Sequence, residues 1–142
     1  MGPLFAKLYV HTLERRGDRI AEAVTAVAEA DGAVVVHCAA GKDRTGLVAA
    51  LLLALAGVPD EEVARDYALS GPNVAALFRD WVAAAADDPV EQRLRTRLLE
   101  SPEEAMVATL ARLRALGGAE TYLREAGVAA ATLRRLRSRL GA

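Results

Sequence analysis

The chain has one cysteine, two histidines and few aromatic residues, and these shortages exclude several classes of protein. With a single cysteine, Cys38, no internal disulfide can form. One cysteine and two histidines that lie far apart in the sequence, His11 and His37, do not make the ligand set of a structural metal site. We therefore expect neither a metal ion nor any other cofactor.

Charge and hydropathy set further limits. The net charge is -1 over 142 residues, so no basic surplus points to nucleic acid. The longest strongly apolar run, residues 47–58, is shorter than a membrane span. The apolar runs at the N-terminus are broken by Lys7 and by later charges, unlike a signal peptide. These features predict a single cytoplasmic domain over residues 1–142 with no integral membrane segment, and leave open secretion without a signal peptide.

Helical periodicity dominates the chain. Asp18 is the predicted cap of the second helix, and Ser101 the predicted cap of the helix that begins at Pro102. Residues 47–56 are apolar on nearly every face, which predicts a helix in the centre of the core. The predicted helices cover about residues 4–13, 18–30, 47–56, 59–70, 73–86, 89–99, 102–116, 119–126 and 129–140.

Only one segment predicts a strand. Residues 33–37, AVVVH, hold three consecutive valines between a turn signal and a glycine-bearing loop, which is typical of a strand buried on both faces. One strand does not make a sheet. We therefore expect a helix-rich α/β fold with few strands in this chain, in which other strands complete the sheet. An isolated strand is also a template for pairing, so a homodimer formed through it is an alternative.

The sequence HCAAGKDRTG, residues 37–46, connects the predicted strand to the central helix. Backbone N–H groups at a helix start have no partner within the helix, and the helix dipole there favours anions. Gly41 permits the positive φ that a tight cradle needs. This arrangement predicts a loop whose N–H groups point at the oxygens of a phosphoryl group.

The side chains of the loop add chemistry to this cradle. Cys38 lies at its floor, where a helix N-terminus and nearby cations lower the pKa of a thiol and make it a nucleophile. Arg44, separated from Cys38 by five residues, has the geometry to hold two phosphoryl oxygens. Lys42 is a second cation, Thr45 is either a helix cap or a hydrogen-bond donor to the thiolate, and Gly46 allows the helix to pack against the strand. The plain alternative is a small buried Cys38 beside an ordinary helix start.

Taken together, this loop resembles the signature loop of Cys-dependent tyrosine phosphatases, and most closely that of the atypical bacterial family whose members often also act on phosphoinositides. The segment LVAALLLALAGVPDEEVARDYALS and the tail SPEEAMVATLARLRALGGAETYLREAGV resemble later parts of the same family. The resemblance implies a Cys38 nucleophile and a phosphate-binding Arg44. It implies a cradle formed by Ala39, Ala40, Gly41, Lys42, Asp43, Arg44 and Thr45, supported by His37 and Gly46.

The resemblance also raises the question of the general acid. Family members carry a sizeable region ahead of the signature strand, whereas only 37 residues precede the cysteine here, so we expect a chain that is short at its N-terminus. Asp43 lies inside the loop and is the first candidate for the acid, with simple pairing to a neighbouring cation as the alternative. Asp18 is expected to be a cap, Asp31 lies about 16 Å away along a strand, and the orientation of Asp66 is open.

Two functional hypotheses follow. The first is a phosphatase that hydrolyses phosphomonoesters through a phosphocysteine, with phosphotyrosine, phosphoserine or phosphothreonine, or a phosphoinositide as substrate. The second is a catalytically weak or inactive remnant that binds phosphate or self-associates. Residues 73–100 are either core, through the stripe Val74, Leu77, Phe78 and Trp81, or a helical lid over the site. For Lys42, the resemblance to lipid phosphatases implies contact with a highly anionic substrate.

Overall fold

The structure is a computed structural model that describes residues 2–142, and these residues are mostly α-helical. None of their helices is long and apolar enough to cross a membrane. Met1, the first residue of the predicted domain, lies outside the described residues. The helices are α1 (Gly2–Arg15), α2 (Gly17–Glu29), α3 (Asp43–Leu55), α4 (Asp60–Ala68), α5 (Ser70–Leu77), α6 (Arg79–Ala83), α7 (Pro89–Leu98), α8 (Glu103–Ala115), α9 (Gly118–Glu125) and α10 (Ala130–Leu140).

Helix α3 occupies the centre of the core, as its apolar sequence predicts. Its side chains Leu47, Leu51 and Leu55 are buried, and the helix contacts α2, α4 and α9. Helix α8 packs across α1 and α4, while α10 packs on α2. Because α3 is held on several sides, its N-terminus is a rigid platform for the loop that precedes it.

Two predicted helix caps are wrong. Helix α2 begins at Gly17 with Arg16 as its N-cap, and no side chain caps it, so Asp18 lies in the first turn and is not the cap. Helix α8 likewise has no side-chain cap. The hydroxyl of Ser101 instead accepts the N–H of Gly71 at 2.6 Å and donates to the carbonyl of Ala68 at 2.8 Å. Ser101 therefore connects the start of α8 to the α4–α5 junction.

The prediction of a buried strand at residues 33–37 is wrong for this structure. The described residues 2–142 contain no strand, and no backbone hydrogen bond joins residues 33–37 to another segment. Val35 is 85% exposed and Val34 is 39% exposed. The physical reason is that a strand needs a neighbour for its ladder hydrogen bonds. The helix-rich part of the predicted fold is confirmed.

The segment before the loop is nevertheless anchored at its start. Arg139 of α10 donates to the carbonyl of Ala30 at 2.7 Å and to the carbonyl of Gly32. Arg135, on the same face of α10, forms an ion pair with Asp31 at 3.5 Å. These arginines meet the carbonyl end of α2, where the helix dipole favours cations. They fix the turn from which the chain enters the loop.

The predicted core role of the apolar stripe in residues 73–86 holds only in part, since Phe78 is half-buried. Val74 is buried, but Leu77 is 81% exposed and Trp81 is 40% exposed. The helix is divided, because α5 ends at Leu77 and α6 begins at Arg79, and Gly71-Pro72 lies in the first turn of α5 instead of before it. Helices α5, α6 and α7 contact one another in sequence and show apolar side chains to solvent.

Candidate active site

The loop of residues 38–42 ends on the N-terminus of α3, as the sequence predicts. Gly41 has a φ of 66°, the conformation that favours glycine. Lys42 is the N-cap of α3 and no side chain caps this helix, so the first N–H groups of α3 are left for a ligand. Together with the helix dipole, they make this end of α3 a favourable place for an anion.

The sulfur of Cys38 lies in the concave side of this loop. Burial alone would raise the pKa of the thiol, but the side-chain hydroxyl of Thr45 opposes it, as do the backbone N–H groups of Thr45, Lys42 and Gly41. The donors outweigh burial and lower the pKa of Cys38 from 9.0 to about 6. At pH 7 the sulfur is therefore mostly thiolate, the form that attacks an electrophile.

Thr45 lies in the first turn of α3 and does not cap it. Its hydroxyl oxygen is buried and makes no standard hydrogen bond to another described residue. A buried hydroxyl without a partner is costly, and the neighbouring sulfur offers the charged acceptor that removes this cost when it is ionised. Of the two roles predicted for Thr45, the structure therefore favours donation to the thiolate.

Cys38 opens into a cavity of about 730 Å³ between the loop, α1, α2 and α3. Asp43 and Arg44 line this cavity beside the sulfur, and Arg16 and Arg19 line it from the α1–α2 junction. Arg19 is paired with Glu22 at 2.9 Å, whereas no described acidic group lies within ion-pair distance of Arg16 or Arg44. The remaining wall is largely apolar and is formed by Leu8, Ile20, Ala23, Val36, Leu47 and Val48, among others.

Lys42 differs from the arginines of the site in that its side chain lies outside the cavity. Its side chain is 1% exposed and does not line the cavity. The ammonium donates to the carbonyl of Glu100 at 2.6 Å, lies 3.0 Å from Asp43 Oδ1 and lies 4.2 Å from the centre of the Phe5 ring. Only the backbone N–H of Lys42 faces the sulfur. Its side chain joins the loop to the segment that leads into α8.

Asp43 accepts a hydrogen bond from one tyrosine, which a second tyrosine contacts in turn, and the sequence did not predict either contact. Tyr9 of α1 donates its hydroxyl hydrogen to Asp43 Oδ1. The hydroxyl of Tyr67, from α4, lies 2.5 Å from that of Tyr9. Burial is the main cause that raises the pKa of both phenols, that of Tyr67 to about 12. Both hydroxyls therefore stay protonated at neutral pH and act as donors.

The structure also locates the other predicted site residues. His37 is exposed at the cavity edge, and the backbone of Ala39 and Ala40 forms the turn of the loop. Gly46 packs against Tyr67 instead of a strand, since a Cβ there would lie 2.9 Å from the Tyr67 ring. The remaining acid candidates do not reach the cavity: Asp66 lines a smaller pocket on the other side of the loop, Asp18 lies exposed in the first turn of α2, and Asp31 pairs with Arg135.

Cys38 thus lies in a cradle of N–H donors, and Arg44, six positions later, lies in the first turn of α3, as the sequence predicts. A model of the tyrosine phosphatase family matches residues 2–142, and this chain belongs to that family. The resemblance found in the sequence is thereby confirmed at the level of the family.

Individual relatives agree with this assignment. The chain is 39% identical over 122 residues to a tyrosine-protein phosphatase of Nostoc commune, a match that covers 80% of this chain and 41% of the relative. It is 33% identical over 127 residues to the triple specificity protein phosphatase PtpB of Mycobacterium tuberculosis, covering 73% of this chain and 42% of that relative. The chain thus spans about two fifths of the length of these relatives.

Proposed function

We propose that this chain hydrolyses phosphomonoesters through a phosphocysteine intermediate on Cys38. The observation that carries the proposal is the position of Cys38 inside a cradle of N–H donors at the start of α3, which lowers the pKa of its thiol to about 6. A structural cysteine gains nothing from such a pKa, whereas a nucleophile needs it. Arg44 lines the same cavity without an acidic partner among the described residues.

The first step transfers the phosphoryl group to sulfur. Cys38 Sγ attacks phosphorus, an S–P bond forms, and the P–O bond to the leaving group breaks. The electron pair of that bond stays on the leaving oxygen, which takes a proton from the carboxylic acid form of Asp43. Arg44 and the loop N–H groups stabilise the charge on the three non-bridging oxygens.

The second step restores the enzyme. A water molecule attacks phosphorus, the S–P bond breaks, and its electron pair returns to Cys38 as thiolate. Asp43, now a carboxylate, accepts the proton of the water, and inorganic phosphate leaves. The residues Ala39, Ala40, Gly41, Lys42, Asp43, Arg44 and Thr45 provide the cradle in both steps, Lys42 through its backbone N–H. His37 supports the loop at the cavity edge.

The substrate class follows from the walls of the cavity. Apolar side chains line it next to Cys38, which suits the ring of phosphotyrosine, and Arg16 at its rim suits a second negative charge. We place phosphotyrosine first, with phosphoserine, phosphothreonine and phosphoinositides as further substrates. The name of the Mycobacterium tuberculosis relative records three specificities for that protein.

The α/β fold class remains part of the proposal. Residues 33–37 lead directly into the loop and leave their backbone groups without partners in the described chain. The relatives are more than twice the length matched here. We place residues 33–37 as a strand of a sheet to which other strands contribute, within a single phosphatase domain that includes residues 1–142.

Residues 73–100 fit the role of a lid. Helices α5–α7 expose Leu77 and Trp81, and the C-terminal end of this segment is fastened to the loop through Lys42 and the carbonyl of Glu100. Trp81 is the only tryptophan of the chain, so its fluorescence reports on this segment alone. Closure predicts a change of Trp81 emission on adding vanadate, and an unchanged spectrum at saturation would contradict it.

The alternative function is a remnant that binds phosphate or self-associates. The observation that favours it is the exposed pair Val34 and Val35 on an unpaired segment. Analytical ultracentrifugation at micromolar concentration separates the two. A stable, inactive dimer that Val35→Lys converts to monomer would support the remnant, and a folded active monomer would exclude it.

The test of the main proposal is hydrolysis of 4-nitrophenyl phosphate and of a phosphotyrosine peptide by the chain and by Cys38→Ser. Serine keeps the size of the side chain but its hydroxyl is a far weaker nucleophile. We expect turnover by the unaltered chain and none by Cys38→Ser. We also expect that rapid acid quench traps a phosphorylated Cys38, which mass spectrometry detects. Turnover equal in both proteins would overturn the proposal.

A further inference from the structure

The strongest feature beyond the phosphate loop is a chain of hydroxyl groups that ends on Asp43. Each tyrosine hydroxyl has one hydrogen to donate. Tyr9 gives its hydrogen to Asp43 Oδ1, so the 2.5 Å contact between the two phenols requires Tyr67 to donate to Tyr9. The direction of the chain is therefore fixed, from Tyr67 through Tyr9 to the carboxylate.

The second feature is that the two oxygens of the Asp43 carboxyl group have different surroundings. Lys42 Nζ lies 3.0 Å from Asp43 Oδ1, the same oxygen that accepts from Tyr9. No described residue donates to Oδ2 of this carboxyl group, and Asp43 lines the Cys38 cavity. One oxygen of Asp43 thus accepts from Tyr9 and pairs with the Lys42 ammonium, while the other is left for a proton exchanged with a leaving group or a water.

The donors are themselves rigid. Tyr9 is 1% exposed and Tyr67 is 4% exposed, with their rings edge to face at 5.8 Å. Gly46 leaves the room that the Tyr67 ring occupies against α3. Lys42 is fixed by the carbonyl of Glu100 and the face of Phe5. The carboxylate is therefore oriented from α1, α4 and the segment before α8 at once.

We propose that Tyr9, supported by Tyr67, is a positioning residue that holds Asp43 Oδ1 so that Oδ2 exchanges the proton with the leaving group. The inference rests on the proposed function, because it assigns the orientation of that reaction's general acid. It is separable from the nucleophile, since neither tyrosine is among the groups that lower the pKa of Cys38.

The test uses two substrates that differ in their need for an acid. Phenyl phosphate has a poor leaving group that requires protonation, whereas 4-nitrophenyl phosphate has a good one that does not. We expect Tyr9→Phe to lower kcat for phenyl phosphate about 10-fold and for 4-nitrophenyl phosphate less than about 3-fold, with KM unchanged. Tyr67→Phe removes the outer donor and should act in the same direction with a smaller effect.

A matched control comes from the third tyrosine. Tyr122 is buried and donates to the carbonyl of Leu13 at 2.8 Å, away from the cavity. Tyr122→Phe removes one buried hydroxyl as Tyr9→Phe does, and it should leave the ratio of the two rates unchanged. If Tyr9→Phe lowers both rates equally, as a merely structural change would, the inference is overturned.

A double-mutant cycle decides whether Tyr9 acts through Asp43. Asp43→Asn should cost more than Tyr9→Phe, and the double variant should cost no more than Asp43→Asn alone. Additive losses would overturn the inference while Cys38-dependent turnover of the unaltered chain keeps the proposed function intact. If the unaltered chain shows no Cys38-dependent turnover, the proposed function is wrong, and the same variants are compared by urea unfolding. Coupling between Tyr9 and Asp43 in the free energy of unfolding would then support their hydrogen bond but overturn its role in catalysis. No coupling would overturn both the bond and the role.

Discussion

The buried hydroxyl of Thr45 lies close enough to the sulfur of Cys38 to lower the pKa of the thiol, and no other described residue hydrogen-bonds to it. This relationship connects the first turn of α3 to the nucleophile. Because of this contact, the ionisation of Cys38 depends on the folded loop. Several measurable consequences follow from that dependence.

The first concerns Thr45 itself. Thr45→Val keeps the shape of the side chain and removes the hydroxyl, so the pKa of Cys38 should rise by about 1, the effect of one hydrogen bond to a charged group. The measurement is the pH dependence of alkylation of Cys38. Thr109→Val is the control, because Thr109 is also buried and donates to a backbone carbonyl at 2.7 Å in α8. A pKa that moves equally in both variants would contradict the assignment.

The second concerns stability against pH. The pKa of Cys38 is lowered from 9.0 to about 6, so the folded state binds fewer protons than the unfolded chain between these values. The resulting stabilisation is fully present above pH 9, declines as the pH falls and is lost below pH 6. The free energy of unfolding of the chain minus that of Cys38→Ser should rise by about 1–2 kcal/mol from pH 6 to pH 9, less than for a fully buried group, because solvent screens the partly buried sulfur. A flat difference would contradict a thiolate in the folded loop.

The third concerns Arg16 at the cavity rim. Arg16→Ala should lower kcat/KM for a substrate with two negative groups about 3- to 10-fold and reduce the salt dependence of the reaction. Arg15→Ala is the matched control, since Arg15 is the neighbouring exposed arginine and does not line the cavity. Equal effects of the two variants would indicate a general charge effect in place of a contact in the cavity.

The fourth concerns the packing of Gly46. In an open helix, glycine to alanine is stabilising by up to about 1 kcal/mol. Here the added Cβ lies 2.9 Å from the Tyr67 ring, so overpacking should prevail and Gly46→Ala should destabilise the fold by about 1–2 kcal/mol in urea unfolding. Gly32→Ala meets no atom within 4 Å and serves as the control. A stabilised Gly46→Ala protein would show that Tyr67 is not fixed in place.

The helices and the loop were predictable because their signals are local. The apolar sequence of α3 and the run from Cys38 to Arg44 both depend on neighbours in sequence. The structure places these elements within a few residues of the predicted bounds. The positive φ of Gly41 follows from the same local pattern.

The tyrosine contacts were not predictable in this way. Tyr9 and Asp43 are 34 residues apart, and Tyr9 and Tyr67 are 58 apart, so only the packing of α1, α3 and α4 brings them together. The residue types do not indicate these contacts, because a tyrosine on a helix usually has only a packing role in the core or at the surface. The side chain of Lys42 was misread for a similar reason, since a lysine in an anion loop gives no sign that its ammonium reaches Glu100 and Phe5.

The prediction of a strand at residues 33–37 was wrong for a third reason. Three valines carry a strong strand propensity, but a strand forms only against a partner, and residues 33–37 have none in the described chain. The stripe of Val74, Leu77, Phe78 and Trp81 shows the same limit. Its helical spacing predicted a buried face, and the helices formed while two of its four side chains, Leu77 and Trp81, stayed exposed.

The most direct test of the account is the pH titration of Cys38 by alkylation, with and without vanadate. Because Cys38 is the only cysteine, the rate reports on this one sulfur. We predict a thiolate midpoint near pH 6 and protection by vanadate, which would show a formed cradle around an ionised nucleophile. A midpoint near 9.0, the ordinary value, with no protection would contradict it and leave the loop as a remnant.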